Sequence, residues 1–91
     1  MIDDSAVPRR SEKYRLEDFG DELVLYDAAA TRAVYLNDTA SIIWRLCDGQ
    51  RKIADIKTLL QESYPAASDQ ILEDLRATLF QLVWCGAVEL V

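Results

Sequence analysis

The sequence predicts a small α+β domain in which a three-stranded antiparallel sheet is followed by three helices, in the order β-β-β-α-α-α. Two observations predict this fold class. The first third of the chain contains short, β-rich apolar runs, and beyond Asn37-Asp38 the apolar residues recur every three or four positions. The chain has 91 residues, of which 51% are hydrophobic. That length and composition suit one domain with one core.

Three short runs predict the strands of the sheet. Tyr14 and Leu16 alternate with charged residues, which indicates a half-buried first strand. Residues 22–26 form a second β-rich run, and residues 32–36 form a third one after a loop of small residues. Because the connections between these runs are short, an antiparallel meander is the simplest arrangement.

The first helix is predicted over residues 39–47. Asn37 or Asp38 is suited to cap it, since either side chain can accept a hydrogen bond from a free amide of the first turn. Asp48-Gly49 should end it, because glycine is common just beyond a helix. The predicted buried face consists of Ala40, Ile43, Leu46 and Cys47, which are spaced for one side of a helix.

Two further helices follow. The second is expected to stop near Tyr64-Pro65, and the third to begin at Ser68, a good cap residue, and to end at Gly86. Their apolar residues are Ile53, Ile56, Leu59 and Leu60 in the second helix and Ile71, Leu72, Leu75, Leu79, Leu82 and Val83 in the third. Three short helices on one face of a small sheet make the predicted fold winged helix-turn-helix-like.

The chain is predicted to divide into a tail and one domain. Residues 1–12 are polar and show no period, so we expect a mobile N-terminal tail. Residues 13–91 should form a single winged-helix-like, peptide-binding domain, in which residues 87–91 are compatible with a short final strand. No apolar run resembles a signal peptide or a membrane helix, so a cytoplasmic location is expected.

Composition argues against an enzyme. The chain has no His and only 3 Gly, which excludes a Ser-His-Asp triad and disfavours a glycine-rich phosphate loop. We therefore expect no catalytic residues, no metal site and no cofactor. Cys47 and Cys85 are interpreted as small packing residues rather than reactive thiols. Trp44 and Trp84 lie on amphipathic helices and are interpreted as core or near-core residues.

A winged helix invites comparison with DNA-binding regulators. The third predicted helix carries Asp69, Glu73 and Asp74 against a single Arg76, and the formal net charge of the chain is −6. A surface that binds DNA phosphates needs an excess of basic over acidic residues. We expect no nucleic-acid partner, and a DNA-binding transcription regulator remains the alternative function. A plain oligomerisation domain is a third interpretation.

The predicted sheet offers a surface for a peptide. If residues 32–36 form an edge strand, an extended peptide can add beside them through main-chain hydrogen bonds. Both faces of the second strand are apolar, with Leu23 and Leu25 on one and Val24 and Tyr26 on the other. Such surplus apolar surface is typical of a groove or an interface. A homodimer contact or the final strand are open alternatives for what covers it.

The strand-to-helix junction resembles a known family. Residues 36–40 read LNDTA and are followed by Asp48-Gly49, a pattern similar to the signature of the PqqD family, whose members are also called RiPP recognition elements. Residues 51–56, Asp74-Leu75 and the GAVE stretch at residues 86–89 extend the resemblance to nearly the whole domain. The family often has Thr where Lys52 stands, and members dedicated to pyrroloquinoline quinone commonly end in Gly-Trp where this chain has Gly-Ala.

The resemblance implies a non-catalytic peptide chaperone. Family members bind the leader of a ribosomally made precursor peptide and present it to a modifying enzyme, such as a radical SAM protein or a leader peptidase. The pathway is pyrroloquinoline quinone biosynthesis, or the maturation of a lasso or other modified peptide. Carried onto this chain, the leader would bind at Arg32, Ala33, Val34, Tyr35, Leu72, Leu75, Arg76 and Leu79. We expect Arg76 to contact an acidic leader residue.

Overall fold

The computed structural model describes residues 3–20, 23–27 and 29–91. The strands are β1 Pro8–Arg10, β2 Arg15–Asp18, β3 Leu23–Asp27, β4 Arg32–Leu36 and β5 Val88–Leu90, and the helices are α1 Asp38–Leu46, α2 Ile53–Ser63 and α3 Ser68–Trp84. Strands β2, β3 and β4 form an antiparallel sheet in that order, and three helices follow it. The predicted α+β class is therefore confirmed. Glu22, predicted to begin the second strand, lies outside the described residues.

The three-stranded sheet buries one face more deeply than the other. Leu25 is fully buried in the centre of β3 and lies opposite Leu16 of β2 and Val34 of β4. Side chains alternate along a strand, so Tyr26 and Tyr35 lie on the opposite face, where both are exposed. The inner face packs against the helices, and the outer face has no helical layer over it among the residues that the structure describes.

Helix α1 begins as the sequence predicts. The Asn37 side chain accepts a 2.8 Å hydrogen bond from the Ala40 amide, which satisfies one of the free donors of the first turn. The helix then buries Ala40, Ile43 and Trp44 in the core, together with Cys47 just beyond its end. The predicted periodicity therefore identified three of the four residues on the buried side, and the fourth, Leu46, is half-buried.

Helix α3 contributes the longest buried stripe. Ile71, Leu75, Leu79 and Leu82 are buried, and the helix packs against α1, α2 and β5. The core therefore lies between the helical layer and the inner face of the sheet.

None of the described helices is both long enough and apolar enough to span a membrane.

A second, two-stranded sheet corrects the prediction for the N-terminal segment. Residues 1–12 were expected to form a tail, but Pro8–Arg10 pairs with β5, and Arg9 lies opposite Glu89. On its other side, β1 receives a 2.9 Å hydrogen bond from the Gly49 amide through the Pro8 carbonyl. Both partners are distant in sequence, so no local pattern identifies this strand. Met1 and Ile2 of the expected tail lie outside the described residues.

Two predictions for α3 were wrong. Ser68 is already helical and does not cap the helix, because a short 3₁₀ turn at Pro65–Ala67 precedes it and Ala67 takes the cap position. Trp84 is 83% exposed, whereas Trp44 is buried as predicted. Trp84 is the last residue of α3, and its position on the helix faces away from the buried stripe.

Asp48 organises the connection between α1 and α2. One of its carboxylate oxygens accepts hydrogen bonds of 2.9 Å from the amides of Gln50 and Arg51, and the other accepts one of 3.0 Å from the Arg51 guanidinium. The backbone hydrogen bonds from Arg51 and Gln50 hold the pKa of Asp48 below its ordinary value of 3.8. Gly49 follows with φ +78, a conformation that glycine adopts readily.

Replacing Asn37 by Ala should destabilise the fold by about 1 kcal/mol, because the first turn of α1 loses its side-chain acceptor. Urea denaturation followed by circular dichroism measures the change. Asn37→Asp is the matched control, since it keeps an oxygen at the same place and should retain most of the stability. An unchanged midpoint for Asn37→Ala would contradict the role of this cap.

Replacing Asp48 by Asn should lower the urea midpoint of unfolding at pH 7. The difference between parent and variant should shrink as the pH falls. The folded-state pKa is depressed, so the stability from this carboxylate is present above the unfolded-state value near 3.8 and is lost as the pH falls through the lower folded-state value. The midpoints of parent and variant should therefore converge below pH 3.8. Asp18→Asn serves as the control, and a gap independent of pH would argue against this account.

Candidate functional site

Strand β4 has an open outer edge. It pairs with β3 on one side, and within the described parts of the chain no strand pairs with its other side. In an antiparallel strand, alternate residues direct their N–H and C=O groups to each side, so the outer edge offers a row of donors and acceptors. The edge that the sequence predicted at residues 32–36 coincides with β4.

The opposite edge of the same sheet has a different character. Strand β2 reads RLED and carries three charged residues in four, whereas β4 reads RAVYL and carries one in five. Charged side chains on an edge strand discourage pairing with another chain. Of the two edges of this sheet, β4 is therefore the one suited to accept an added strand.

The segment just before β2 is hydrogen-bonded to the end of α3. The Tyr14 hydroxyl, which is buried just before β2, donates a 2.9 Å hydrogen bond to the Cys85 carbonyl. Burial raises the pKa of Tyr14 above its usual value, and the neighbouring Arg32 guanidinium opposes that rise. Tyr14 therefore fixes the segment just before β2 against the residue that follows α3.

A cavity of about 460 Å³ lies on the outer face of the sheet. Three exposed aromatic side chains form its walls, namely Phe19, Tyr26 and Tyr35, and Val24 is buried beneath them. Ala33 of β4 lines the same cavity. This outer-face cavity directly adjoins the open edge, because Ala33 and Tyr35 belong to the edge strand itself.

A larger cavity of about 840 Å³ lies between α2 and α3. We call it the α2–α3 groove. Its apolar lining consists of Ile53, Leu75, Leu79 and Phe80, and its charged lining consists of Asp3, Asp4, Lys57 and Arg76. The Lys57 ammonium pairs with the Asp4 carboxylate at 2.6 Å. The groove thus combines an apolar surface with charges of both signs.

The structure distributes the predicted site residues over two surfaces. Ala33 and Tyr35 line the outer-face cavity, whereas Leu75, Arg76 and Leu79 line the α2–α3 groove. The other three, Arg32, Val34 and Leu72, line neither of them. Leu75 and Leu79 are almost fully buried, so they serve the core as well as the groove. Arg76 is exposed.

Several lining residues escaped the sequence analysis. Phe19 lies at the end of a weakly alternating run, so only the folded sheet brings it beside Tyr26 and Tyr35. Asp3 and Asp4 belong to the segment that was expected to be a tail, and nothing in their neighbourhood pointed to Lys57 as a partner. The surplus apolar character of β3, by contrast, did signal the outer face.

The structure offers no reactive thiol at Cys47. Its side chain is fully buried, and burial raises the pKa of the thiol to about 12. Such a thiol is protonated at neutral pH and is a poor nucleophile. No cluster of three or more carboxylate and thiol ligands suited to a metal ion occurs in the described segments.

The fold and these surfaces define a small α+β domain with an open strand edge and a groove between helices. The family model of coenzyme PQQ synthesis protein D (PqqD) matches residues 22–88. The chain therefore belongs to the PqqD family, and the resemblance inferred from the sequence is confirmed. This is a family of peptide-binding accessory proteins of coenzyme PQQ synthesis. Searches of curated proteins and of solved structures each found no match.

Proposed function

We propose that this protein is a non-catalytic peptide chaperone. It binds the leader of a ribosomally made precursor peptide by strand addition at β4 and presents that peptide to a modifying enzyme. The modifying enzyme is a radical SAM protein or a leader peptidase, and the pathway yields pyrroloquinoline quinone or another modified peptide. The binding takes place in the cytoplasm. The single observation that carries this proposal is the open, largely uncharged edge of β4.

The chemistry of the edge supports an extended peptide as ligand. Main-chain hydrogen bonds along β4 would supply affinity without regard to sequence, and alternate side chains of the added strand would supply selectivity. Side chains on one face of the added strand would lie beside Ala33 and Tyr35, which line the outer-face cavity. Cross-strand contact with an aromatic residue favours apolar or β-branched partners.

The other half of the proposed site is the α3 surface. Leu72 is half-buried and Arg76 is exposed, so both can contact a ligand without unfolding the core. Leu75 and Leu79 are buried and can contribute only where they line the α2–α3 groove. We therefore expect Arg76 to contribute more to peptide selectivity than either leucine.

Hydrogen exchange tests the mode of binding directly. Synthetic peptides covering the short reading frames beside the gene are titrated into the labelled protein, and amide exchange is followed by NMR. Strand addition should slow exchange at every second residue of Arg32–Leu36, because only alternate amides of β4 face the open edge. The edge strand β2, Arg15–Asp18, should show no such change.

A modified peptide supplies the control for this experiment. N-methylation of alternate backbone amides in the docking segment removes the donors that strand addition requires and keeps the side chains. That peptide should lose binding, whereas methylation of the intervening amides should be tolerated. Tight binding without protection of β4, or with protection of β2, would sink the proposed mode.

Reversing the charge of Arg76 tests the expected contact with an acidic leader residue. Arg76→Glu should weaken the binding of an acidic leader by about threefold or more at low salt. The loss should shrink at high salt, because exposed charges are then screened. Lys13→Glu makes the same charge change at another exposed position and should have little effect. Equal effects of the two variants, measured by calorimetry, would remove Arg76 from the site.

A further inference from the structure

The N-terminal segment lies against the α2–α3 groove. The Asp4 carbonyl accepts a 3.0 Å hydrogen bond from the Ala54 amide, and the Ala6 carbonyl accepts one of 3.0 Å from the Ile53 amide. The Asp4 carboxylate also pairs with Lys57 at 2.6 Å. Residues 3–6 form a turn, closed by a 2.9 Å hydrogen bond from the Ala6 amide to the Asp3 carbonyl, and two of its carbonyls and one carboxylate hold it against α2.

These hydrogen bonds cap the N-terminus of helix α2. The first amides of a helix have no partner inside it, and a side-chain oxygen at the cap position usually supplies one. Here the cap position is occupied by Lys52, whose ammonium is a donor and not an acceptor. The carbonyls of Asp4 and Ala6 provide acceptors in its place. A different peptide that places two free carbonyls at the same positions can satisfy the same two amides.

The segment is placed for exchange with a ligand. Asp3, Asp4 and Ser5 are exposed, and only Ala6 and Val7 become half-buried as the chain approaches β1. Beside them the groove presents the exposed ring of Phe80 and the guanidinium of Arg76. Within the described residues Arg76 has no ion-pair partner, so the groove retains a cation for one more acidic group.

We propose that the α2–α3 groove binds an acidic peptide and that residues 3–6 are an internal competitor which this ligand displaces. Lys57 and Arg76 recognise its carboxylates, and the amides of Ile53 and Ala54 recognise its main chain. The proposal rests on the proposed function for the identity of the natural ligand, which is an acidic part of the leader. Because residues 3–6 compete for the same groove, a higher peptide concentration is needed to saturate the protein.

The test uses the full chain and a peptide of its own sequence. The probe is the synthetic heptapeptide MIDDSAV, which copies residues 1–7, with a second peptide in which both aspartates are asparagines. The variant is Asp3→Asn together with Asp4→Asn, which keeps the hydrogen-bonding oxygens and removes the two charges. The matched control is Glu12→Gln with Asp18→Asn, which changes the net charge equally at exposed positions.

The internal segment should compete less well in the Asp3→Asn, Asp4→Asn variant. That variant should therefore bind the acidic heptapeptide about two- to fivefold more tightly than the parent chain or the control, since one exposed ion pair has been removed. Amide shifts in NMR spectra should concentrate at Ile53, Ala54 and Arg76. The peptide with asparagines should bind more weakly than the acidic one.

The outcomes separate this inference from the proposed function. Equal affinity of parent, variant and control for the heptapeptide overturns the internal competitor, even if leader peptides bind at β4. Amide shifts that avoid the α2–α3 groove overturn it as well. Conversely, tighter binding of the heptapeptide by the variant supports the inference, even if every leader peptide leaves β4 unprotected and the proposed function fails.

Discussion

The unpaired outer edge of β4 is the constraint on which the molecule's proposed activity depends. In a sheet of three strands, only the middle strand has hydrogen-bonded neighbours on both sides, so the two outer strands each leave one edge unpaired. Here the edges are unequal, because β2 is rich in charge and β4 is not. Leu36 is buried and Val34 half-buried on the inner side of β4, which fixes the strand in place while its outer main chain stays available.

The two-stranded sheet ties the N-terminal segment to the other surface of the domain. Strand β1 lies between β5 and the end of α1, and the Arg10 guanidinium stacks on the Trp44 ring at 5.6 Å. Because β1 is held on both sides, the residues just before it cannot diffuse away from α2. Asp3 and Asp4 are therefore kept at a high local concentration beside the α2–α3 groove.

Sequence patterns predicted the elements whose structure depends on neighbouring residues. The period change after Asn37, the cap at Asn37 and the run at residues 32–36 each depend on neighbouring residues, and each is found in the structure. They did not predict β1, because this strand is formed by pairing with a partner about eighty residues away in sequence. The predicted site residues were expected to bind one leader together, but the structure places them on two surfaces, because helix packing depends on residues that are distant in sequence.

The extent of the family match divides these features into two sets. Residues 22–88 include β4 and the α2 and α3 residues that line the groove, so the edge and the groove floor lie within the part of the chain that defines the family. Asp3, Asp4 and β1 lie before that match. The proposed peptide binding at β4 therefore belongs to the shared domain, whereas the proposed competition by residues 3–6 belongs to a segment outside it. Substitutions in that segment can change its charge without disturbing the sheet edge, so the proposed competition and the proposed strand addition can be altered separately.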